Sequence, residues 1–144
     1  MTRIRPMRDT DAPWVATLTT QLGYPVEATE LAARAADIRA TTDDEILVAT
    51  DAADRPIGWI HVGRLASLEA SGLAILHGLV VDEAHRSSGT GATLVDAAEA
   101  WALERGATSM VVYSRSTRER AHRFYQRIGY VEIKRSHVFE KALS

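Results

Sequence analysis

The chain has 144 residues, of which 46% are hydrophobic and 25% are charged, and this is the size and composition of one globular domain. It contains no cysteine, which excludes disulfides, thiol nucleophiles and cysteine-ligated zinc. The formal net charge of −2 argues against a globally basic nucleic-acid-binding protein. The N-terminus lacks an apolar signal segment and no apolar run is long enough to span a bilayer. We therefore expect a cytoplasmic protein with neither nucleic acid nor membrane as a partner.

Hydrophobic spacing predicts strands that alternate with helices. Asp9 or Thr10 is a suitable N-cap for the first helix, and Gly23 is a suitable end. In chain order, the predicted elements are a strand at Ile4, a helix to Gly23, a helix over 27–40, strands from Ile46, over 57–65 and over 73–81, a helix ending at Gly106, a strand over 109–114, a helix from Ser116 to Gly129 and two short final strands.

This order of elements predicts an α/β or α+β fold with a mixed sheet. The segment 73–81 is nonpolar on both faces except at His77, which indicates an interior strand. The spacing Ser116-x-x-Glu119 is typical of a capping box at a helix start. In the third helix, one face is formed by Leu94, Val95, Ala98, Trp101 and Ala102.

A glycine-containing loop lies between the interior strand and the third helix, with the sequence Arg86-Ser87-Ser88-Gly89-Thr90-Gly91. Helix N-termini favour anions, and glycines that take positive φ allow main-chain amides to approach phosphate closely. A G-x-G turn alone is equally compatible with a simple tight connection. No Gly-Lys-Ser/Thr sequence completes a Walker A loop, and Leu94 replaces the third glycine of a Rossmann fingerprint.

Two motifs in this order resemble those of the GCN5-related N-acetyltransferase (GNAT) superfamily. The first is Leu79-x-Val81-x(4)-Arg86-x-x-Gly89-x-Gly91, and the second is Ala121-x-x-Phe124-Tyr125-x-x-x-Gly129-Tyr130. The strings ILHGLVV and FYQRIGY are also similar to those of arylalkylamine N-acetyltransferases, and the AHRFY string with the chain end to those of aminoalkylphosphonate N-acetyltransferases. The resemblance implies one domain over 1–144, with a mixed, mostly antiparallel twisted sheet, splayed central strands and about four flanking helices.

The resemblance also implies acetyl-CoA as the acyl donor. Backbone groups of the interior strand would bind pantetheine and the thioester carbonyl, and the loop would bind diphosphate. Arg118 occupies the position at which many relatives have asparagine. Three alternatives stay open for its role: it binds coenzyme phosphate, it recognises an acidic group of the acceptor, or its side chain is simply solvated at the start of a helix. The implied coenzyme-binding residues are Leu79, Val80, Val81, Arg86, Ser87, Ser88, Gly89, Thr90, Gly91, Ala92, Thr93 and Arg118.

Acetyl transfer requires a base for the amine and an acid for the departing thiolate. Tyr125 matches the family's general-acid tyrosine, and the alternative is a packing role. His77 matches a histidine that removes the amine proton in arylalkylamine N-acetyltransferases, and alternation predicts that it shares a face with Leu79 and Val81. The alternative is that His77 is a buried, hydrogen-bonded histidine or only lines the acceptor cleft.

Tyr24, Glu27 and His61 are the candidate acceptor-binding residues, from the position of the acceptor pocket in this family. The five histidines show no helical metal-ligand spacing, so no metal site is predicted. We expect direct acetyl transfer from acetyl-CoA to a primary amine of a small molecule in a ternary complex, by a homodimer in analogy with the family. Two alternatives stay open: a protein or peptide N-acetyltransferase, and a non-catalytic CoA-binding regulatory module.

Overall fold

A computed structural model describes residues 2–144. These residues form two compact units, of which the first ends at Tyr113 and the second comprises Ser114–Ser144. The described residues contain five strands and four α-helices. In chain order, the elements are β1 Arg3–Pro6, α1 Ala12–Leu22, α2 Ala28–Arg39, β2 Asp44–Thr50, β3 Pro56–Leu65, β4 Leu73–Val81, α3 Thr90–Glu104, β5 Ser109–Val112 and α4 Glu119–Arg127, with short 3-10 turns at Asp9–Asp11 and Glu83–His85.

The strands form one sheet in the order β1-β2-β3-β4-β5. The pairs β1/β2, β2/β3 and β3/β4 are antiparallel, whereas β4 and β5 are parallel. β4 has a neighbour on each side, as its apolar sequence predicts. The predicted fold class, with a mixed and mostly antiparallel sheet flanked by about four helices, is confirmed.

The two parallel strands separate partway along β4. Their pairing runs from Leu73 opposite Ser109 to Leu76 opposite Val112, where β5 ends. β4 continues for five more residues, to Val81, and these have no partner on β5. The central strands are therefore splayed, and backbone groups of residues 77–81 on that side take no part in the β4/β5 ladder.

Helices cover both faces of the sheet in the first unit. α1 and α2 pack with Ile46 and Val48 of β2 and with Trp59 of β3. α3 packs on the other face, where Leu94 approaches Gly58. The predicted core face of α3 is confirmed, since its five predicted residues are all buried. No helix within residues 2–144 combines the length and apolar character needed to cross a membrane.

The N-terminus of α1 differs from the sequence prediction. Its N-cap is Asp11, rather than Asp9 or Thr10, because a 3-10 turn over Asp9–Asp11 precedes the helix. The Asp11 carboxylate makes no capping bond within α1 and instead accepts hydrogen bonds from the Arg5 guanidinium. Gly23 ends α1 with a φ of +115°, as predicted.

Two predictions for the second unit are wrong. α4 begins at Glu119 with Arg118 as its N-cap and has no side-chain capping bond, so Ser116 and Glu119 do not form a capping box. Residues 130–144 contain no strand. A strand requires a partner strand for its backbone hydrogen bonds, and the unit Ser114–Ser144 contains no strand that could pair with this segment. Its exposed apolar side chains are Val131, Ile133, Val138, Phe139 and Leu143.

Candidate active site

A β-bulge interrupts the pairing of β3 with β4 at His77. Val62 lies opposite Leu76, whereas His61 lies opposite Gly78, so His77 is the additional residue on β4. Bulges increase the local twist, re-aim side chains and are over-represented next to active sites. His77 is exposed although it belongs to an interior strand.

The bulge also determines the face of the sheet on which His77 lies. Strict alternation predicts that His77 shares a face with Leu79 and Val81, and this prediction is wrong. The ring of His77 stacks on the ring of His61, whereas Leu79 lies opposite Ile60, the residue adjacent to His61. Since adjacent residues point to opposite faces, Leu79 lies on the other face. One extra residue shifts the alternation by one position.

His61 and His77 form the centre of a cluster of titratable side chains. Their ring centroids are 4.3 Å apart with an interplanar angle of 27°, and His61 Nε2 lies 3.9 Å from Asp44 Oδ1. Burial, followed by the neighbouring His77, lowers the pKa of His61 to about 4, although Asp44 acts in the opposite direction. His61 is therefore uncharged at neutral pH, and His77 is the more exposed of the two rings.

The loop before α3 has a backbone suited to binding an anion. Ser87 and Gly89 take φ values of +67° and +85°, and Gly89 is the N-cap of α3. The amides of the first helical turn, from Thr90 onward, have no acceptor within the helix and point out of its positive end. The predicted positive φ is confirmed at Gly89 but is wrong for Gly91, which lies inside α3.

Hydroxyl groups hold this loop in place. The hydroxyls of Ser88 and Thr90 are hydrogen-bonded at 2.8 Å, and the Thr93 hydroxyl donates to the Gly89 carbonyl at 3.0 Å. Thr90 is buried, whereas Arg86 is exposed at the surface of the loop. The hydroxyls therefore order the backbone, and Arg86 remains accessible to a ligand.

The end of α1 is hydrogen-bonded to the segment that joins β4 to this loop. The Gln21 side-chain amide donates to Asp82 Oδ1 at 2.9 Å and accepts from the Glu83 amide at 3.2 Å. Asp82 also pairs with His85 Nδ1 at 3.0 Å. These contacts fix the start of the loop against α1.

Tyr125 lies on α4 in the unit Ser114–Ser144. Its ring makes edge contacts with Phe124 and Tyr130, at centroid distances of 5.2 and 5.8 Å. Burial raises the pKa of Tyr125 to about 12, while the positive charge of Arg118 acts in the opposite direction. The phenol is therefore protonated throughout the neutral pH range and can act only as a proton donor there.

α4 and the turn before it carry an arginine-rich surface. Arg118 is half-buried and interacts electrostatically with Tyr125. The other members of this surface are exposed: they are Arg115, Arg120, Arg123 and Arg127. Arg118 is therefore the member of the surface that lies beside the tyrosine, rather than a fully solvated side chain.

The structure does not bring the three candidate acceptor-binding residues into one cavity. Glu27 is the N-cap of α2 and lines a cavity of about 430 Å³ with Thr20 and Gln21. Tyr24 is 46% exposed, and neither Tyr24 nor His61 lines that cavity. His61 instead belongs to the cluster on the sheet.

The sequence patterns did not indicate that Asp44 and Gly63 belong to this region. They lie opposite each other on β2 and β3, and Gly63 is two residues from His61, on the same face. The available signal was a glycine and a histidine separated by one residue in an apolar strand. This spacing indicates a site only when the pairing register of β2, β3 and β4 is known.

The open sheet, its splayed central strands and the glycine loop at the start of α3 define an acyltransferase fold of the N-acetyltransferase type. The model of the Acetyltransferase (GNAT) family matches residues 12–130. The chain therefore belongs to the GNAT family of acetyltransferases, and the predictions of the family and of its enzyme class are confirmed.

Solved structures with the same fold include aminoglycoside acetyltransferases. AAC(6')-Iy, in complex with the bisubstrate analog CoA-S-monomethyl-acetylneamine, is 19% identical with a TM-score of 0.86 over 99% of both chains. The aminoglycoside 6'-N-acetyltransferase AAC(6')-Ih from Acinetobacter baumannii is 20% identical with a TM-score of 0.86 over 100% of both. A putative acetyltransferase from Agrobacterium tumefaciens is 23% identical with a TM-score of 0.85 over 96% of this chain and 99% of that one. Comparison with curated proteins gives no significant match.

Proposed function

We propose that residues 1–144 form a single N-acetyltransferase domain that transfers acetyl from acetyl-CoA directly to a primary amine of a small molecule. Donor and acceptor would bind together in a ternary complex, with no acyl-enzyme. The end of the β4/β5 pairing at Leu76 is the observation that carries this proposal. Beyond it, backbone groups of β4 are available to an extended ligand that contains amide groups, such as pantetheine.

The coenzyme would lie along the end of β4 and the loop before α3. Main-chain groups of Leu79, Val80 and Val81 would bind pantetheine and the thioester carbonyl, which is an oxyanion site made of backbone donors. The amides from Ser87 to Ala92 and the Arg86 guanidinium would bind the diphosphate, while Thr93 orders the loop through the Gly89 carbonyl. Arg118 would meet the remaining phosphate charge, and the exposed arginines of α4 would attract the polyanionic coenzyme.

The chemistry requires two proton transfers. The amine nitrogen attacks the thioester carbonyl carbon, and His77 accepts the proton that the nitrogen loses. The C–S bond then breaks, and the Tyr125 phenol gives a proton to the departing thiolate, which leaves as the free thiol of CoA. His77 returns its proton to solvent and Tyr125 regains one, so the net products are the N-acetyl amine and CoA. Exposure of His77 and protonation of Tyr125 at neutral pH support these roles.

Two observations favour a polycationic amine as the acceptor. Proteins of similar structure are aminoglycoside 6'-N-acetyltransferases, and aminoglycosides carry several amino groups. Glu27 and Asp44 are carboxylates on the side of the sheet covered by α1 and α2, where they would attract ammonium groups. Tyr24 and His61 would complete the acceptor side.

A homodimer in the cytoplasm is the proposed state of the enzyme. The dimeric state is proposed by analogy with the family. Light scattering of the purified protein at two concentrations tests this proposal. A mass of one chain at both concentrations would contradict it.

Acetyl-CoA-dependent release of thiol tests the function directly. The panel should contain aminoglycosides, polyamines, arylalkylamines, aminophosphonates, amino acids and short peptides, with acetyl-CoA binding measured in parallel. Thiol release with a small amine is the expected result. Release only with peptides would favour a protein acetyltransferase, whereas binding of acetyl-CoA without release for any acceptor would favour a non-catalytic CoA-binding module.

A further inference from the structure

Three metal-ligating side chains converge from three adjacent strands. Asp44 on β2, His61 on β3 and His77 on β4 each provide one donor atom, and these atoms all lie within 4.8 Å of one another. The strand register produces this convergence, because Asp44 lies opposite Gly63 and the bulge at His77 turns that ring onto His61. No helical spacing is involved, which is why the sequence predicted no metal site.

Gly63 provides the space in which the donors meet. A Cβ atom at this position would overlap Asp44 Oδ1 and would lie 3.3 Å from His77 Nε2. The carboxylate and the imidazole nitrogen therefore both lie over a residue that has no side chain. His61 Nε2 is the third donor atom and lies 3.9 Å from Asp44 Oδ1.

The cluster leaves a buried nitrogen without a partner. His61 Nε2 is buried and makes no hydrogen bond to any described residue, and its distance from Asp44 exceeds hydrogen-bond range. A buried polar atom without a partner is destabilising by about 1–3 kcal/mol. Ligands around a tetrahedral Zn²⁺ lie about 3.4 Å apart, given metal–ligand bonds of about 2.0–2.1 Å, so a shift of about half an ångström would bring these two donors to ligand spacing.

We propose that Asp44, His61 and His77 bind a divalent transition metal ion, with Zn²⁺ as the preferred ion. Two imidazole nitrogens and one carboxylate oxygen suit Zn²⁺ and its neighbours, whereas Mg²⁺ and Ca²⁺ require mainly oxygen ligands. His77 is exposed, so the fourth position faces solvent and is open to water or to a small ligand.

Metal binding would inhibit acetyl transfer. This consequence rests on the proposed function, in which the free electron pair of His77 accepts the proton of the acceptor amine. A bound metal ion uses that electron pair, so the amine keeps its proton and the attack on the thioester slows. Removal of the ion by a chelator restores the base.

Titration of the metal-free, tag-free protein with Co²⁺ tests the site. We expect one equivalent to bind with the intense visible bands of tetrahedral Co²⁺ and to be displaced by Zn²⁺. Asp44→Asn and His61→Gln should each weaken binding at least about 100-fold, beyond the effect of losing an outer-shell partner, and Gly63→Ala should weaken it by filling the space. His85→Gln is the matched control, since His85 pairs with a different aspartate, Asp82.

Either of two results would overturn the site: no Co²⁺ bands, or equal affinity in wild type, Asp44→Asn and His61→Gln with folding verified by circular dichroism. The inhibition is measured separately, as thiol release with and without one equivalent of Zn²⁺. If the Zn²⁺-bound wild type releases thiol at the same rate as the metal-free protein, the proposed inhibition and the proposed base role of His77 are both wrong. That result would not contradict the metal site itself. The two failures are therefore distinguishable.

Discussion

Gly89 and Gly106 flank α3 with the same left-handed φ. Both have a φ of +85°, and neither has a heavy atom within 4 Å of the position that a Cβ would occupy. The strain of adding a side chain is therefore comparable at the two ends of the helix. Only Gly89 belongs to the loop proposed to bind the coenzyme diphosphate, so the pair separates a binding effect from a stability effect.

Gly89→Val should weaken acetyl-CoA binding, whereas Gly106→Val should not. Each variant should lose about 1–2 kcal/mol or more of unfolding free energy, because β-branched residues resist the left-handed region. Loss of one charge-assisted hydrogen bond from the loop amides to phosphate, at about 1.5–3 kcal/mol, corresponds to about a 10- to 140-fold higher Kd. Isothermal calorimetry checks this prediction, and equal Kd values for the two variants would contradict it.

Tyr125→Phe should lower kcat while the Kd for acetyl-CoA changes little. General-acid catalysis contributes about 10²–10⁴-fold, and the substitution removes only the hydroxyl. Because the pKa of Tyr125 is raised to about 12, the Tyr125 phenol keeps its proton throughout the neutral range and loses it only as the pH approaches 12. Wild-type kcat should therefore show no decline from tyrosine ionisation up to about pH 10. Tyr113→Phe, at a tyrosine that is 65% exposed, is the control; an equal effect in both variants would remove the general-acid assignment.

His77→Ala should lower kcat about 100-fold, at the lower end of the range for a general base, with an unchanged Kd for acetyl-CoA. The measurement is thiol release under saturating amine in the presence of a chelator, which keeps metal ions out of the comparison. His137→Ala, in the exposed C-terminal segment, is the matched control. A wild-type rate in His77→Ala would leave His77 as a residue that only lines the cleft.

Most of the fold could be predicted from the sequence because the spacing of apolar residues indicates which side chains face a core. The α3 face and the interior position of β4 follow from such patterns. The bulge at His77 could not be predicted in this way, because the apolar residues on both sides of it fit either register. The contact of His61 with His77, and the approach of Asp44, depend on pairing between strands that are distant in the sequence.

Arg5 and Asp11 should make stability depend on pH in the acid range. Two guanidinium nitrogens of Arg5 bond the two carboxylate oxygens of Asp11 at 2.7 and 3.0 Å, and the Arg8 amide donates to the same carboxylate at 2.8 Å. Burial alone would raise the pKa of Asp11, but the hydrogen bonds and charges of Arg5 and Arg8 outweigh it, so the pKa is lowered. The carboxylate form therefore stabilises the fold above the unfolded pKa, and this contribution is lost as the pH falls through the lower folded pKa.

Asp11→Asn should lower the unfolding free energy at pH 7 by about 3 kcal/mol, the lower end of the range for breaking a buried ion pair, because Arg5 keeps its contact with Asp54. Urea unfolding of both proteins should give a constant difference from pH 7 to about pH 5 and a smaller one below about pH 4, since the unfolded carboxyl titrates near 3.9. Asp9→Asn is the control, because Asp9 pairs with Arg39 at an exposed position and exposed pairs contribute little. A difference between wild type and Asp11→Asn that stays constant down to pH 3 would show that the charge of Asp11 is not what stabilises this corner of the fold.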